Sequence, residues 1–567
     1  MCIRDSSIAE VTATLTAPGS MFELDTAEIR GVTMKVWKNC PPSLRSILEL
    51  SALHGDKPFL VYEDERLTFT EHLGLAARFA QRLVADLGVA KGDRVAIAMR
   101  NFPEWSIAFW GAAAAGAVVV PLNAWWTGPE LEYGLSDSGA TMLVADAERA
   151  ERLASHLPSL PTLRVIVVRP EGDLPERARR WDDLVDGPAA TLPDVAIEPD
   201  DDATIFYTSG TTGRPKGALG TQRNICTNLL SLGYSATRAA IRSGKEPTPP
   251  GTAPQPAMLL SVPLFHATGC HSVLVGNTAS GGKLVMMHKW DPERALELIE
   301  RERLTSFGGV PAMVWQVLDS PDFATRDTSS VQGVSYGGAP APPELVKRIS
   351  EHFPKASAGN GYGLTETSSM TTYNAGADYV AHPDSVGVAV AVCELKIVDE
   401  DGNPRPAGEI GELWIKGPNV VKGYWGKPEA TAESFAAGWL KTGDVARIDD
   451  EGFVYIVDRA KDMVIRGGEN VYCVEVEGAI FEHPDVVDVA VIGVPHQVLG
   501  EEVGAVVQLR PGAAARTDQP ELEAFVRERL AGFKVPNHWW FVDDALPRNP
   551  AGKVLKRELR ESVLARG

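Results

Sequence analysis

Between about residues 43 and 460, short apolar runs rich in β-branched residues alternate with stretches of helical periodicity. Residues 94–98 read as a buried strand, 103–115 as an apolar helix opened by Pro103, and 117–120 as the next strand. Such alternation predicts βαβ units on a mostly parallel sheet, the fold class α/β. From 394 to 455 the runs shorten and turn signals such as Asp401-Gly402 separate them. That change predicts a small antiparallel, β-barrel-like unit closing the body. The charged segment 458–462 interrupts the apolar strands, and beyond it the pattern restarts: a helix near 474–481, strands near 486–494 and 502–509, and a helix near 521–530. The chain is therefore read as an extension (1–42), a large body (43–460) and a smaller α+β C-terminal domain (461–567) able to move against it.

Length changes the picture little: 567 residues exceed what one core supports, so several domains are expected. Charge excludes more. A net charge of −20 argues against nucleic acid as a partner, because phosphate backbones are gripped by clustered Lys and Arg, so any phosphate site must be local. Six cysteines stand singly, without a CxxC pair, which fits reduced thiols and a cytoplasmic protein. The longest apolar run, 107–122, holds Gly111, Gly116 and Pro121 and falls short of the ~20 residues that span a bilayer. At most a peripheral membrane contact is expected, and a homodimer only on base rates. Residues 1–6 lack the apolar stretch of a secretory signal and are left out of the fold reading, and the proline-rich stretch 247–256 reads as an exposed loop.

Candidate chemistry concentrates at 205–217, Ile-Phe-Tyr-Thr-Ser-Gly-Thr-Thr-Gly-Arg-Pro-Lys-Gly. Glycines let the backbone turn its N–H groups inward, hydroxyls add donors, and one lysine adds charge, a combination that can cradle a polyphosphate. The spacing is not that of a Walker A loop, since Pro215 and Gly217 flank Lys216 where that motif needs Gly and Ser/Thr. By composition alone such a run is more often a surface loop; its place behind an apolar strand favours the phosphate reading.

This segment resembles the signature phosphate loop of the adenylate-forming superfamily, which includes acyl-CoA synthetases, luciferases and amino-acid adenylation domains. The resemblance implies ATP contacts from Thr208, Ser209, Gly210, Thr211, Thr212, Gly213 and Lys216. Further segments follow in family order. Residues 335–340, with Gly338, Ala339 and Pro340, and residues 360–367 resemble the adenine- and magnesium-binding segments. There Asn360 and Gly361 border the base, Tyr362 can stack on it, Thr365 can donate to the α-phosphate, and Glu366 is a hard oxygen ligand for Mg²⁺ with Thr208 as the second. Asp444 and Arg459 fall where the family clamps the ribose, a role that suits a carboxylate with two acceptor oxygens.

Residues 546–554 resemble the loop that presents the family's catalytic lysine, here Lys553. A fixed ammonium there would stabilise the charge that builds as a carboxylate attacks the α-phosphate. Lys461 matches the hinge, and Arg466, Gly467, Gly468 and Glu469 the loop that enters for thioester formation. Residues 263–269 resemble the acyl-site segment, placing His266 near the carboxylate and Phe265, Val310 and Gly337 around the acyl pocket. Cys270 and His271 do not make a metal site. With the superfamily's motifs running from Tyr207 to Lys553, the implied activity is an ATP-dependent acid:CoA ligase using Mg²⁺, with coenzyme A as acceptor. Fatty acids of medium or long chain are the first choice of substrate, then aryl or steroid-derived acids. A luciferase-like or carrier-loading enzyme, and a non-catalytic nucleotide-binding module, are the alternatives.

Overall fold

The alternating segments build two sheets around shared helices. The computed structural model describes residues 6–174, 177–208, 214–245, 254–338, 341, 343–459, 462–466, 469–515, 517–549 and 552–565. Among these the first sheet runs in the order Gly423–Tyr424, Lys216–Thr221, Asp202–Thr208, Val118–Pro121, Arg94–Ala98, Met142–Asp146, Arg164–Val168, Ala178–Arg180. Its centre is parallel, and Lys216–Thr221 turns back antiparallel with Lys216 opposite Thr208. The second sheet has a parallel block from Pro58–Tyr62 through Lys283–Met286, Ala257–Leu260, Ser306–Gly309 and Gly333–Gly337 to Ser357–Tyr362. Strands buried on both faces read as continuous apolar runs, which is why they were legible.

Between the sheets lies the helix Pro103–Ala114, with Trp105, Phe109 and Trp110 fully buried in a core that takes residues from both sheets. Proline at its start supplies a helical φ where no backbone donor is needed. The turn-rich strands Glu394–Val398, Gly411–Lys416 and Trp439–Ile448 are antiparallel and close over their own small core of Ile397, Leu413, Ile415 and Leu440. They do not stand apart: Phe453–Arg459 and Gly387–Ala389 bond them onto the second sheet.

Residues 8–37 form a helix, Ile8–Leu15, and a hairpin, Leu24–Ile29 with Val32–Trp37. Trp37 is buried against Phe22 and Tyr234 and donates from Nε1 to Ser231 Oγ at 3.1 Å, so this segment packs on the helix Gln222–Arg242.

Beyond 463 a separate sheet joins Val464–Arg466, Glu469–Val471, Gly500–Leu509, Val486–His496 and His538–Val542. The helices Cys473–Phe481 and Gln519–Arg527 lie close to the anticipated ranges. The strand His538–Val542 and the helix Lys556–Leu564 were not anticipated, the latter because only Leu559 and Val563 are buried on an otherwise charged segment. Among the contacts that join this unit to the body, Trp315 meets Phe481 with ring centroids 5.9 Å apart and Arg510 lies 3.7 Å from Asp319. Asp458 accepts from the backbone N–H of Cys473, and burial pushes its carboxyl up to about 6. Gly552 sits on Val310.

Candidate active site

In open α/β sheets ligands bind beyond the carboxyl ends of parallel strands. Thr208 ends Asp202–Thr208, Gly309 and Val310 follow Ser306–Gly309, Gly337 ends Gly333–Gly337 and Tyr362 ends Ser357–Tyr362. The sequence-predicted residues thus meet at one rim. Gly337 and Gly361 are paired in register, and a Cβ on Gly337 would fall 2.4 Å from the Gly361 carbonyl oxygen, so only glycine fits there.

On the nucleotide side the charged groups already hold partners. Asp444 is buried; its Oδ2 accepts from the Tyr362 hydroxyl at 2.6 Å and its Oδ1 pairs with Arg459 Nε at 3.0 Å. Burial and the Asp444 charge hold the Tyr362 phenol well above its ordinary pKa, so it stays a donor. A carboxylate offers about four lone-pair sites, so two remain free for a diol. Glu366 Oε1 accepts from the Tyr424 hydroxyl at 2.8 Å, and the Glu366 carbonyl accepts from Val421 N at 3.0 Å. The Tyr424 ring carries Lys216 Nζ 5.2 Å from its centroid, and Lys216 pairs with Thr208, whose Oγ1 donates to the Lys216 carbonyl at 3.4 Å. Thr208, Lys216, Tyr424 and Glu366 therefore form one connected series, and Tyr362, Asp444 and Arg459 form a second. Tyr424 is the link that sequence reading missed; it lies far from every motif and nothing local marks it.

The acyl side differs. A pocket of about 90 Å³ opens between Tyr207, Thr208, Pro215, Phe265, His266 and Asn549. His266 is half-buried, its Nε2 is shielded from solvent with no hydrogen-bond partner among the described residues, and desolvation pushes its pKa down to about 4, leaving the ring neutral. Asn549 arrives from the C-terminal domain, on the loop that carries Lys553. That loop is tied by Asn549 N to the Lys553 carbonyl at 2.8 Å and by Lys553 N to Asn549 Oδ1 at 2.9 Å. Arg548 braces it, reaching the Gly552 carbonyl at 2.7 Å and Asp488 at 2.6 Å.

The C-terminal loop therefore lies against Thr208 and His266 in this arrangement. Arg466 stays within its own sheet, paired with Glu469 and 3.8 Å from Glu502, and lines no part of that pocket. Asn360 is buried beneath the rim and Thr365 opens the short turn that carries Glu366; Gly338 follows Gly337 with φ +77°. Ser209, Gly210, Thr211, Thr212, Gly213, Ala339, Pro340, Lys461, Gly467 and Gly468 lie outside the described residues, as does most of the proline-rich stretch.

The profile of AMP-binding enzymes matches residues 49–425, and that of the AMP-binding enzyme C-terminal domain matches 475–553. The chain belongs to the AMP-binding enzyme family. This AMP-binding enzyme is 38% identical to a feruloyl-CoA synthase of Amycolatopsis sp, over 87% of this chain and 93% of that protein. It is 36% identical to the long-chain-fatty-acid–CoA ligase FadD13 of Mycobacterium tuberculosis, over 88% and 94%. The ATP-bound structure of MatB from Rhodopseudomonas palustris superposes with a TM-score of 0.79 at 33% identity, covering 91% of this chain and 98% of that one. The AMP-binding enzyme described here is accordingly an AMP-forming acid–thiol ligase, in the adenylate-forming fold of a large N-terminal body and a smaller C-terminal domain.

Proposed function

We propose that the enzyme joins a carboxylic acid to AMP in the cleft bounded by Thr208, Glu366, Asp444 and Lys553, and then passes the acyl group to coenzyme A. The observation that carries this is the connected series from Thr208 through Lys216 and Tyr424 to Glu366, with Asn549 of the Lys553 loop against Thr208, together with the Tyr362–Asp444–Arg459 group. A carboxylate oxygen forms a bond to the α-phosphorus of ATP while the bond to the bridging oxygen breaks and pyrophosphate leaves. The CoA sulfur then bonds to the acyl carbon, AMP leaves with its phosphate oxygen, and the thiol proton passes to solvent.

Asp444 takes the ribose hydroxyls on its free lone pairs, held in place by Tyr362 and Arg459. Lys216 and the phosphate loop hold the phosphates. Glu366 and Thr208 supply two hard oxygens, a set that suits Mg²⁺, which draws its remaining ligands from phosphates and water and neutralises phosphate charge. His266, neutral and half-buried, orients the acid's carboxylate, with Phe265, Val310 and Gly337 around the acyl group. Lys553 bridges the two anions as they meet. Lys461 serves as hinge, and Arg466 to Glu469 enter after rotation for the thioester step.

Fatty acids are the first reading of the acid and aryl acids the second, since the relatives include both a long-chain-fatty-acid–CoA ligase and a feruloyl-CoA synthase. Incubation with ATP, CoA and a panel of acids should give an acyl-CoA thioester and AMP in equal amounts. AMP formed without thioester would refute CoA as the acceptor.

A further inference from the structure

The strands Asp202–Thr208 and Lys216–Thr221 meet at one antiparallel rung, Thr208 opposite Lys216, with Tyr207 opposite Gly217 beneath it. The sequence places the phosphate loop between these two ends, so the rung sets where the flanking hydroxyl and ammonium stand. The helix Gly128–Ser138 grips both strands at that level. Its Tyr133 and Asp137, four residues apart, share one face. The Tyr133 hydroxyl donates to the Pro215 carbonyl at 2.9 Å, and the Arg214 guanidinium lies over the Tyr133 ring, 5.1 Å from its centroid. The Tyr207 hydroxyl donates to Asp137 Oδ2 at 2.9 Å.

Asp137 takes a second donor, Lys427 Nζ, 2.7 Å from its Oδ1. Lys427 closes the turn that begins at Tyr424: its N–H donates to the Tyr424 carbonyl at 3.1 Å, and Trp425 N donates to the Gly217 carbonyl at 2.8 Å. Tyr424 in turn reaches Glu366 and carries Lys216 over its ring. A single carboxylate, its side chain 9% exposed, thus ties the Thr208 strand to the Tyr424 turn. Burial and the Asp137 charge hold the Tyr207 phenol well above its ordinary pKa, so it remains a donor. Successive side chains of a strand point to opposite faces, so fixing Tyr207 on one face fixes the rotation of the strand end and the direction of Thr208 on the other. A bare carboxylate this close to a polyphosphate site would repel its ligand, and Lys427 cancels that charge.

We propose that Asp137 is a positioning residue for adenylation, holding Tyr207 and Lys427 so that Thr208, Lys216 and Glu366 meet the phosphates in register. The inference rests on the acid–thiol ligase reading and deepens it, because only the half-reaction that uses the polyphosphate needs this brace.

The test follows both half-reactions in the full-length enzyme with the best acid of the panel: acid-dependent exchange of labelled pyrophosphate into ATP, and thioester formation from supplied acyl-adenylate and CoA. Asp137→Ala should slow exchange about 10- to 100-fold, as misplacing reacting groups by about an ångström does, and leave thioester formation nearly unchanged. Asp137→Asn, whose amide oxygen still accepts from Tyr207, should recover part of that loss. Tyr207→Phe deletes a single oxygen and reports on the bond even if Asp137→Ala folds poorly; it should slow exchange by about tenfold. The double variant should lose no more than Asp137→Ala alone, because both changes break the same bond. Exchange at the wild-type rate in Tyr207→Phe, or equal losses in the two half-reactions, would overturn the proposal, the second outcome marking Asp137 as a residue of the fold only. Wild-type enzyme that adenylates none of the acids would instead strike the ligase reading, and the proposal with it.

Discussion

The two sides of the cleft are built on opposite plans. Toward the nucleotide, each carboxylate already has a protein partner: Asp444 has Tyr362 and Arg459, and Glu366 has Tyr424. In the pocket beside Thr208, His266 Nε2 is buried without a partner among the described residues. A charge cannot be buried alone at tolerable cost, so a site for a charged cofactor must be preassembled by countercharges and donors. Neutral imidazoles and hydroxyls cost far less to leave open, about 1–3 kcal/mol each, and that deficit is recovered only by a ligand of matching polarity.

Removing the cation at the junction of the two sides should have the largest effect. Lys553→Ala should lower the rate of acyl-adenylate formation by about 10²–10³-fold while leaving thioester formation from supplied acyl-adenylate nearly intact. Equal losses in the two half-reactions, measured by rapid quench, would remove Lys553 from the adenylation step. Breaking the preassembled side comes next. Asp444→Ala should raise the KM for ATP roughly 10- to 100-fold with little change in the KM for the acid, since it strips both the diol acceptors and the partner of Arg459.

A smaller effect is expected from the loop that brings the sides together. Gly552 has φ +77° and its Cβ would fall 2.5 Å from Val310 Cγ2. Gly552→Ala should slow adenylation by about tenfold and spare the thioester step, because only the seated loop meets Val310. The last effect is on stability and not on rate. His72, His266 and His271 are shielded from solvent and pushed down to about 3, 4 and 4 from an ordinary 6.5. Below pH 6.5 the unfolded chain takes up protons that the folded chain refuses, so the stability these residues carry is present above 6.5 and lost as pH falls toward 4. Each contributes a slope of about 1.4 kcal/mol per pH unit over that interval. Thermal melts should show His271→Leu flattening the acid limb by one such share, and an unchanged limb would mean that the ring is charged in the fold.

The positions of the candidate residues on the fold were legible where they end or follow an element: Thr208 ends an apolar strand and Glu366 lies in a short turn, whereas Asp444 lies in the middle of the strand Trp439–Ile448. The body's sheets were legible because strands covered on both faces announce themselves as apolar runs. Other features were not. Tyr424 acts through a strand pairing with Ala218, a contact that no local pattern encodes. His271 was considered only as a metal ligand and set aside, and its packing against Phe206 and the bond to the Ser368 carbonyl nearly a hundred residues away appear only in the fold. The strand His538–Val542 went unanticipated although its aromatic run favours β-structure.

The central claim is that Thr208, Glu366, Asp444 and Lys553 serve one ATP whose α-phosphorus is attacked by a carboxylate. Exchange of labelled pyrophosphate into ATP, measured with and without added acid and without CoA, tests it most directly. The account predicts exchange that requires the acid and Mg²⁺ and falls by at least about 10²-fold in Lys553→Ala. Exchange that proceeds equally without an acid, or that survives the loss of Lys553, would contradict it.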